Sequence, residues 1–320
     1  MKIDEAKACW KTIEDSKFVL IVTHVNPDAD TICSGLAISN ILYEHDIAHA
    51  IFNIGTDIPK SLDFLNRFDA ITNKFPSKYD TLISVDCGDI RRLGFKPMGD
   101  LNFINIDHHK SNNNFGNFNF VDTSRSSTAE VVFDFLNANG IYISKNTAEC
   151  IYLGIYDDSL GLSVERCDSK TFDMLSVLTK CGANPGFIGN QFLRRDALGK
   201  YKILPKILNT LTFHKNSDIA SIYVKSDWIE ETNSTYNDSK DALDMIFRID
   251  SVMIALFFRE ENNTIRVSLR SKNGIDVSVI AKRFDGGGHK QSAGCTIHET
   301  DIEKAINMVV GSINGTTIQF

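Results

Sequence analysis

Short apolar runs alternate with helical periodicity along the first half of the chain. Four runs of buried-strand length, rich in β-branched residues, are bounded by polar residues at 18–22, 48–53, 81–85 and 103–106. Apolar residues recur every three or four positions at 31–43 and 128–136, which is typical of amphipathic helices. The alternation predicts an α/β unit in which a parallel sheet has helices on both faces.

The pattern changes twice in the second half. It becomes mostly helical from residue 146, and we expect Pro185 and Pro205 to divide this helical region into segments. A new set of elements follows residue 218, with strands at 219–224, 251–258 and 264–269 and helices at 241–247, 277–284 and 301–310. We therefore predict a first domain at 1–190, a helical linker at 191–215 and a smaller α/β domain at 216–320.

Composition narrows the class of protein. The 320 residues carry a formal net charge of −7, so the chain is a poor electrostatic partner for long duplex nucleic acid. The seven cysteines form no CxxC pair, which is typical of reduced thiols in a cytosolic protein. The charged N-terminus lacks the apolar segment of a signal peptide, and no run reaches the roughly 18 apolar residues of a membrane span. We expect a cytoplasmic protein that does not enter a membrane.

Acidic and histidine side chains follow three of the four predicted strands, and an acidic pair follows a later helical stretch. In chain order these residues are His24, Asp28 and Asp30, then Asp86, then Asp107, His108 and His109, and finally Asp157 and Asp158. The carboxyl ends of parallel strands meet at one edge of a sheet, and that edge is where open α/β proteins bind ligands. We therefore expect these side chains to converge.

Each cluster alone has a simpler explanation. A single aspartate at a strand end is usually a helix cap or a turn residue, and a single histidine is usually structural. Several carboxylates packed together without a cation would repel one another strongly. Carboxylate and imidazole ligands without thiolates favour Mn²⁺ or Mg²⁺, and two such ions about 3.5–4 Å apart can activate a water and hold a phosphoryl group. The sequence thus predicts two Mn²⁺ ions, with Mg²⁺ as the alternative.

Four motifs in a fixed order give a more specific indication. They are HVNPDAD from His24, SVDCGDIRRLG from Ser84, IDHHK from Ile106 and GIYDDS from Gly154. In the second half, VSLRS at 267–271 is followed by GGGHK at 286–290 and SAG at 292–294. This set resembles the DHH phosphoesterase family with its associated C-terminal domain. The length is similar to that of the subgroup of bifunctional oligoribonucleases and phosphatases of 3′-phosphoadenosine 5′-phosphate (PAP).

The resemblance implies a ligand set for two metal ions. That set is His24, Asp28 and Asp86 for one ion, and Asp30, Asp86, His108 and Asp158 for the other. Asp86 would therefore bridge the two ions. The fourth motif leaves a choice open, because Asp157 occupies a place that is usually threonine in the family and adds a second carboxylate beside Asp158.

Three further residues near the motifs are expected to act in catalysis. Asp107 would orient His108, since imidazoles that bind metals generally need a hydrogen-bond partner on their other nitrogen. His109 would face the phosphate. Arg92 has two explanations: it stabilises charge in the transition state, or it pairs with Asp89 on the surface.

The resemblance also implies a phosphate-binding site in the C-terminal domain. Glycines let the backbone approach an anion closely, and an arginine can bind a phosphate through two donors. A short glycine run alone would be only a flexible turn, but its pairing with an arginine favours phosphate recognition. The residues expected to bind substrate are Arg270, Ser271, Gly287, Gly288 and His289.

These features predict a metal-dependent phosphodiesterase and phosphatase that hydrolyses short oligonucleotides (nanoRNA) and PAP. The expected partners are short single-stranded RNA or DNA oligonucleotides and nucleotides, and a homodimer is one expected assembly. Alternatives in the same class are a phosphodiesterase of cyclic or linear dinucleotides, a RecJ-like single-strand exonuclease and a family II pyrophosphatase. A non-catalytic nucleotide sensor on the same scaffold is an alternative from a different class.

Overall fold

The structure is a computed structural model that describes residues 2–55, 58–97, 99–261 and 263–314, apart from the side chains of His289 and Asn314. The chain divides into two compact units, Met1–Arg195 and Asp196–Phe320. Most of the segment 191–215 therefore belongs to the second unit. The boundaries proposed from the sequence, with a separate linker, stay a prediction.

The first unit contains a parallel sheet, which confirms the predicted fold class. Its strands are β1 Val19–Thr23, β2 His49–Phe52, β3 Ile71–Thr72, β4 Thr81–Val85, β5 Asn102–Asp107 and β6 Phe118–Val121. They are hydrogen-bonded in the order β3-β2-β1-β4-β5-β6, and every pair is parallel. Its helices are α1 Ile3–Glu14, α2 Ala29–Glu44, α3 Thr128–Ala138, α4 Lys145–Asp158, α5 Ser169–Lys180 and α6 Pro185–Leu193.

Apolar side chains cover both faces of this sheet. Along β1, Val19 and Ile21 join the larger core, which contains buried residues from all six helices of the unit. Leu20 and Val22 point to the opposite face, where Leu93 of a 3-10 helix contributes to a smaller core. Strands that are buried on both sides read as continuous apolar runs, which is why the sequence revealed them clearly. Among the residues that the structure describes, the 3-10 helices are Lys60–Leu62, Phe68–Ala70, Ile90–Leu93, Lys215–Ser217 and Asn237–Ser239.

The second unit contains a mixed sheet with a core on each face. Its strands are β7 Thr212–His214, β8 Ile219–Val224, β9 Ile254–Glu261, β10 Thr264–Ser271, β11 Gly287–His289 and β12 Ser292–Ile297. The order is β11-β12-β10-β9-β8-β7, in which only the β8–β9 pair is parallel among the described residues. Its helices are α7 Leu198–Leu208, α8 Ser226–Thr232, α9 Asp241–Phe247, α10 Ser278–Lys282 and α11 Ile302–Asn314.

The prediction that Pro205 interrupts the helical region is wrong, because Pro205 lies inside α7. The helix continues past it, with the amide of Asn209 donating to the Pro205 carbonyl at 3.0 Å. Ile203 and Ile207 on the same helix are fully buried in the core, and such tertiary packing outweighs a local proline penalty. Pro185 lies in the first turn of α6, where a missing amide hydrogen costs little.

Five strands were not predicted from the sequence, namely β3, β6, β7, β11 and β12. Most of them are only two to four residues long, so they give little periodicity. Among the described helices, none is long and apolar enough to cross a membrane. The seven cysteines have free thiols in the structure.

Candidate metal centre

Three neighbouring strands bring the candidate ligands to one edge of the first sheet. β1, β4 and β5 are adjacent and parallel, so their carboxyl ends lie side by side. His24 follows β1, Asp86 follows β4, and Asp107 ends β5 directly before His108. The edge thus gathers carboxylates and imidazoles from sequence positions that are far apart.

Asp86 lies between two histidines. Its Oδ2 is 3.3 Å from Nε2 of His24, and its Oδ1 is 3.6 Å from Nε2 of His108. The backbone of Asp86 has φ of 60°, a left-handed conformation that costs a non-glycine residue about 1–3 kcal/mol. Its amide donates to the carbonyl of Ile106 at 3.0 Å, which fixes the strained residue to β5. Strain of this kind at a ligand-binding edge points to a functional site.

The first turn of α2 carries two more candidate ligands. Asp28 is the N-cap residue, and its carboxylate accepts a hydrogen bond from the amide of Thr31 at 3.1 Å. Its other oxygen, Oδ2, lies 3.5 Å from Nε2 of His24. Asp30 is buried and faces α3, so the two aspartates lie in different parts of the site.

The N-terminus of α3 holds the carboxylate of Asp30. The Thr128 amide donates to Oδ2 at 2.6 Å, and the Ala129 amide donates to Oδ1 at 3.0 Å. The hydroxyl of Thr128 donates to Oδ1 of Asp86 at 2.8 Å. Because free amides and the positive end of the helix dipole favour an anion, this helix end orients two candidate ligands at once.

The two carboxylates of the fourth motif lie in different surroundings at the end of α4. Oδ2 of Asp158 is 3.4 Å from Nε2 of His108. Burial raises the pKa of Asp157 to about 6, whereas the nearby backbone amide of Ala29, at the start of α2, favours the ionised form of this residue. The geometry therefore brings Asp158 toward the histidine, while Asp157 lies near the start of α2.

Three groups of potential ligand atoms lie close enough to hold a metal ion. Within each group the atoms lie within 4.8 Å of one another. The groups are His24, Asp28 and Asp86; Asp86, His108 and His109; and Asp30, His108 and Asp158. Asp86 and His108 each belong to two groups, so the three form one continuous cluster.

Two observations fit divalent cations in this cluster. Nε2 of His24 is buried and has no hydrogen-bond partner, although carboxylate oxygens surround it. Burial and the nearby charge of Asp86 raise the pKa of Asp30 well above its ordinary value and raise the pKa of Asp158 to about 7. Oxygen and imidazole donors suit Mn²⁺ or Mg²⁺, and a cation would stabilise the ionised carboxylates.

The structure differs from the expectation for Asp107. Its Oδ1 is 2.7 Å from Nδ1 of His109, so it orients this imidazole rather than that of His108. Asn112 donates from Nδ2 to the other oxygen of Asp107 at 2.6 Å. Nδ1 of His108 lies 3.4 Å from the carbonyl of Arg125 instead. A side chain two residues along an extended segment returns to the same side, which explains why Asp107 reaches His109.

Arg92 faces the centre. Its Nη2 is 2.9 Å from Nδ1 of His24. The alternative that Arg92 pairs with Asp89 is wrong, because Asp89 forms its ion pair with the exposed Arg91, at 2.7 Å. Asp89 also caps the 3-10 helix that carries both arginines.

The C-terminal candidates lie on three adjacent strands of the second sheet. Arg270 pairs with Ser292 across β10 and β12, and the β11 glycines pair with β12 on its other side. Gly288 has φ of 140°, and a Cβ there would lie 2.5 Å from the Ala293 backbone, so only glycine fits. The hydroxyl of Ser271 donates to the Ile275 carbonyl at 2.7 Å.

The backbone of His289 forms part of β11, but the prediction for its imidazole falls outside the side chains that the structure describes. Arg270 is half-buried and its Nη1 donates to the Leu269 carbonyl at 3.2 Å, which leaves further guanidinium donors for a ligand. In the sheet, β12 lies between the glycine run on β11 and the strand β10 that carries Arg270.

Comparison with known families agrees with these two units. The model of the DHH family N-terminal domain matches residues 18–155, and that of the DHHA1 domain matches residues 216–314. The chain therefore contains a DHH-family N-terminal domain followed by a DHHA1 domain. The DHH match includes the strand ends that carry His24, Asp86 and His108, and the DHHA1 match includes Arg270 and the glycine run.

Several curated proteins are similar to this chain over most of their length. The bifunctional oligoribonuclease and PAP phosphatase NrnA of Bacillus subtilis is 27% identical over 91% of this chain and 93% of its own. The protein of the same name from Thermus thermophilus is 26% identical over 92% of this chain and 89% of its own. A solved structure of an exopolyphosphatase-related protein from Bacteroides fragilis has a TM-score of 0.89 at 22% identity, covering 98% of this chain and 96% of that one. That structure supports the fold.

Asn112 was not identified from the sequence as a residue of the site, and Thr128 was recognised only as part of a helix start that could cap the helix or bind an anion. Thr128 touches two candidate ligands, and Asn112 holds the carboxylate of Asp107. Thr128 begins a helix that the sequence predicts, and a helix start is a known anion site. The sequence gives no sign that the anion at this end is an aspartate from a distant part of the chain.

We expect Thr128→Val to weaken metal binding by about 10–100-fold, because replacing a residue that orients a metal ligand commonly lowers metal affinity by this factor. Valine removes the hydrogen bond to Asp86 and keeps the amide that holds Asp30. Calorimetric titration with Mn²⁺ measures the change, and Thr128→Ser, which keeps the hydroxyl, should restore affinity. Equal affinities for the valine and serine variants would contradict the role of the hydroxyl.

Gly154 allows α4 to approach the candidate centre. A Cβ at this position would lie 2.7 Å from the Cβ of Ala129 and 2.9 Å from Oδ1 of Asp30. We expect Gly154→Ala to lower the free energy of unfolding by about 1–3 kcal/mol, since overpacking a dense core forces neighbouring groups apart.

Urea denaturation of the metal-free protein measures this effect, and Gly189→Ala is the matched control. Gly189 lies in α6 with open space around its Cα, so alanine there should raise the free energy of unfolding by about 0.5–1 kcal/mol. If Gly154→Ala were as stable as Gly189→Ala, α4 could move away from Ala129 and Asp30 without lowering the free energy of unfolding.

Proposed function

We propose that this chain is a metal-dependent phosphoesterase that hydrolyses short oligonucleotides and PAP. The observation that carries the proposal is the position of Asp86, whose two oxygens face different histidines, His24 and His108. A carboxylate placed in this way can be shared between two cations. The similarity to proteins named oligoribonuclease and PAP phosphatase supports the choice of substrate.

The two ions would be held by ligands from both sides of Asp86. We propose His24, Asp28 and Asp86 for one ion and Asp30, Asp86, His108 and Asp158 for the other. When bound, the cations would lower the pKa of an attacking water and offset negative charge on the phosphoryl group. The absence of thiolates from this ligand set favours Mn²⁺, with Mg²⁺ as the alternative.

His109 is proposed to contact the reacting phosphate. Its Nδ1 is engaged by Asp107, so Nε2 is the nitrogen left for a substrate oxygen. Asp107 is in turn fixed by Asn112, which holds the ring in one orientation. Fixed orientation matters because a donor stabilises a transition state only when it needs no rearrangement during the reaction.

Arg92 is proposed to act on charge near His24. Its guanidinium reaches the ring of this histidine, so it brings a permanent positive charge to the carboxylate-rich edge. In the second unit we propose that Arg270, Ser271, Gly287, Gly288 and His289 bind a phosphate of the nucleotide. Arginine donors and close glycine backbone suit this ligand better than they suit a nucleobase.

A hydrolysis panel with the purified chain and Mn²⁺ tests the proposal. The substrates are RNA and DNA dimers to pentamers, PAP, and cyclic and linear diadenylates. We expect mononucleotides from the short RNA oligomers and AMP from PAP. Preference for cyclic dinucleotides would favour the alternative phosphodiesterase, and hydrolysis of none of them would contradict an enzyme of this class.

Calorimetry distinguishes the enzyme from a nucleotide sensor. The proposed enzyme takes up two Mn²⁺ per chain, and the non-reacting phosphorothioate analogue of a dimer binds more tightly once they are present. A sensor would bind the nucleotide equally well in a chelator. Binding that is independent of metal would therefore contradict the proposed site.

A further inference from the structure

A cavity of about 310 Å³ lies on the second sheet, apart from Arg270. Three of its polar lining residues form one row across neighbouring strands: Arg259 on β9, Arg266 on β10 and Thr296 on β12. Residues that are paired across antiparallel strands point to the same face, so two guanidinium groups and a hydroxyl share this opening. The volume is within the range of small-ligand sites.

The guanidinium donors of this row are only partly used by the protein. Nε of Arg259 is buried and has no hydrogen-bond partner. The nearest carboxylate is that of Glu261, at 3.7 Å from Nη1 of Arg259 and 3.6 Å from Nη1 of Arg266, distances too long for good hydrogen bonds. A buried donor without a partner costs free energy, and a ligand oxygen would remove that cost.

Glycine backbone forms the wall beside the two arginines. A Cβ on Gly286 would lie 2.3 Å from the carbonyl oxygen of Gly294, so this close approach requires glycine. Gly287 and Gly294 also line the opening and leave it without side-chain bulk. Asp285 lies at the exposed rim, where solvent weakens its repulsion of an anion.

We infer that this cavity is a second phosphate-binding site, which shares Gly287 with the one proposed at Arg270 but has its own arginines, and that it binds an internal phosphate of an oligonucleotide. Arg266 and Arg270 point to the same face of β10, four residues apart, which corresponds to about 13 Å along a strand. The two phosphates of one nucleotide do not span that distance, whereas phosphates of a longer strand do. The inference rests on the proposed function and deepens it, because it assigns the protein a preference for oligonucleotides over single nucleotides.

Arg266→Gln tests the inference without disturbing the core, since this side chain is 52% exposed. We expect KM for an RNA tetramer to rise about tenfold, equivalent to about 1.4 kcal/mol, with kcat nearly unchanged. KM for PAP should stay within twofold of the parent value. Lys304→Gln, which removes one exposed positive charge from α11, is the matched control and should leave both substrates unaffected.

Equal effects of Arg266→Gln on tetramer and PAP, or no effect on either, would overturn the inference. A readout that does not need activity separates it from the proposed function. In the metal-free protein, titration with inorganic phosphate should shift the NMR signal of the Arg259 Nε–H group saturably, and Arg266→Gln should weaken this binding. An unshifted signal would exclude phosphate from the cavity even if the enzyme hydrolyses RNA.

Discussion

Replacing Asp86 with asparagine is expected to lower kcat/KM for short RNA by at least about 10³-fold, the upper range for loss of one electrostatic contact to a reacting group. The proposed bridging carboxylate would lose its charge toward both His24 and His108. Asparagine is the appropriate replacement, because it tolerates the left-handed backbone that position 86 adopts. It can also still accept the hydrogen bond from Thr128.

Stability measurements separate loss of metal from loss of folding in this variant. Without metal, Asp86→Asn should be at least as stable as the parent, since burial and the charge of Asp86 raise the pKa of Asp30. With Mn²⁺, only the parent should gain stability. Asp173→Asn, on the exposed side of α5, is the control. Activity near the parent level in Asp86→Asn would exclude the bridging role.

Removal of divalent cations is expected to abolish hydrolysis and to destabilise the first unit. A metal that binds only the folded protein adds about 2.7 kcal/mol to stability when its free concentration is 100 times Kd. The assay follows hydrolysis and the thermal midpoint after treatment with EDTA, then after addition of Mn²⁺, Mg²⁺ or Ca²⁺. Activity that survives chelation and dialysis would contradict the proposed mechanism.

The metal-free protein should also lose stability as the pH rises. Burial, followed by neighbouring carboxylates, raises the pKa of Asp157 to about 6 and that of Asp158 to about 7. A raised carboxyl pKa favours the protonated folded state, so this contribution is complete below the ordinary aspartate pKa and is lost as the pH rises through 6 and 7. Urea unfolding in EDTA at several pH values measures the trend. Saturating Mn²⁺ should oppose it, because metal binding needs ionised ligands.

The sequence was most informative where local pattern and burial coincide. β4 and β8 were predicted at their observed bounds, because strands buried on both faces are continuous apolar runs. Pro205 led to the wrong prediction of a break, because the packing of Ile203 and Ile207 against the core keeps α7 continuous across the proline. Short strands such as β7 and β11 depend on pairing with other segments, which a local window does not contain.

For the candidate site residues, too, the sequence predicted some features and not others. The positions of aspartates and histidines directly after predicted strands indicated that they converge at one edge, because the carboxyl ends of parallel strands meet there. These positions did not indicate that Asp107 contacts His109, or that Arg92 faces His24 rather than Asp89. These contacts depend on rotamers and backbone angles that no spacing rule determines.

By itself, then, the sequence determined the α/β class, the set of acidic and histidine side chains at one sheet edge, and the resemblance to DHH phosphoesterases. Only the tertiary structure decided how these side chains are held, through the α3 amides on Asp30 and the left-handed backbone of Asp86. It alone also revealed the row of Arg259, Arg266 and Thr296, since strand register places residues from three segments on one face. The physical reason is that periodicity reports burial along one segment, whereas orientation depends on contacts between segments.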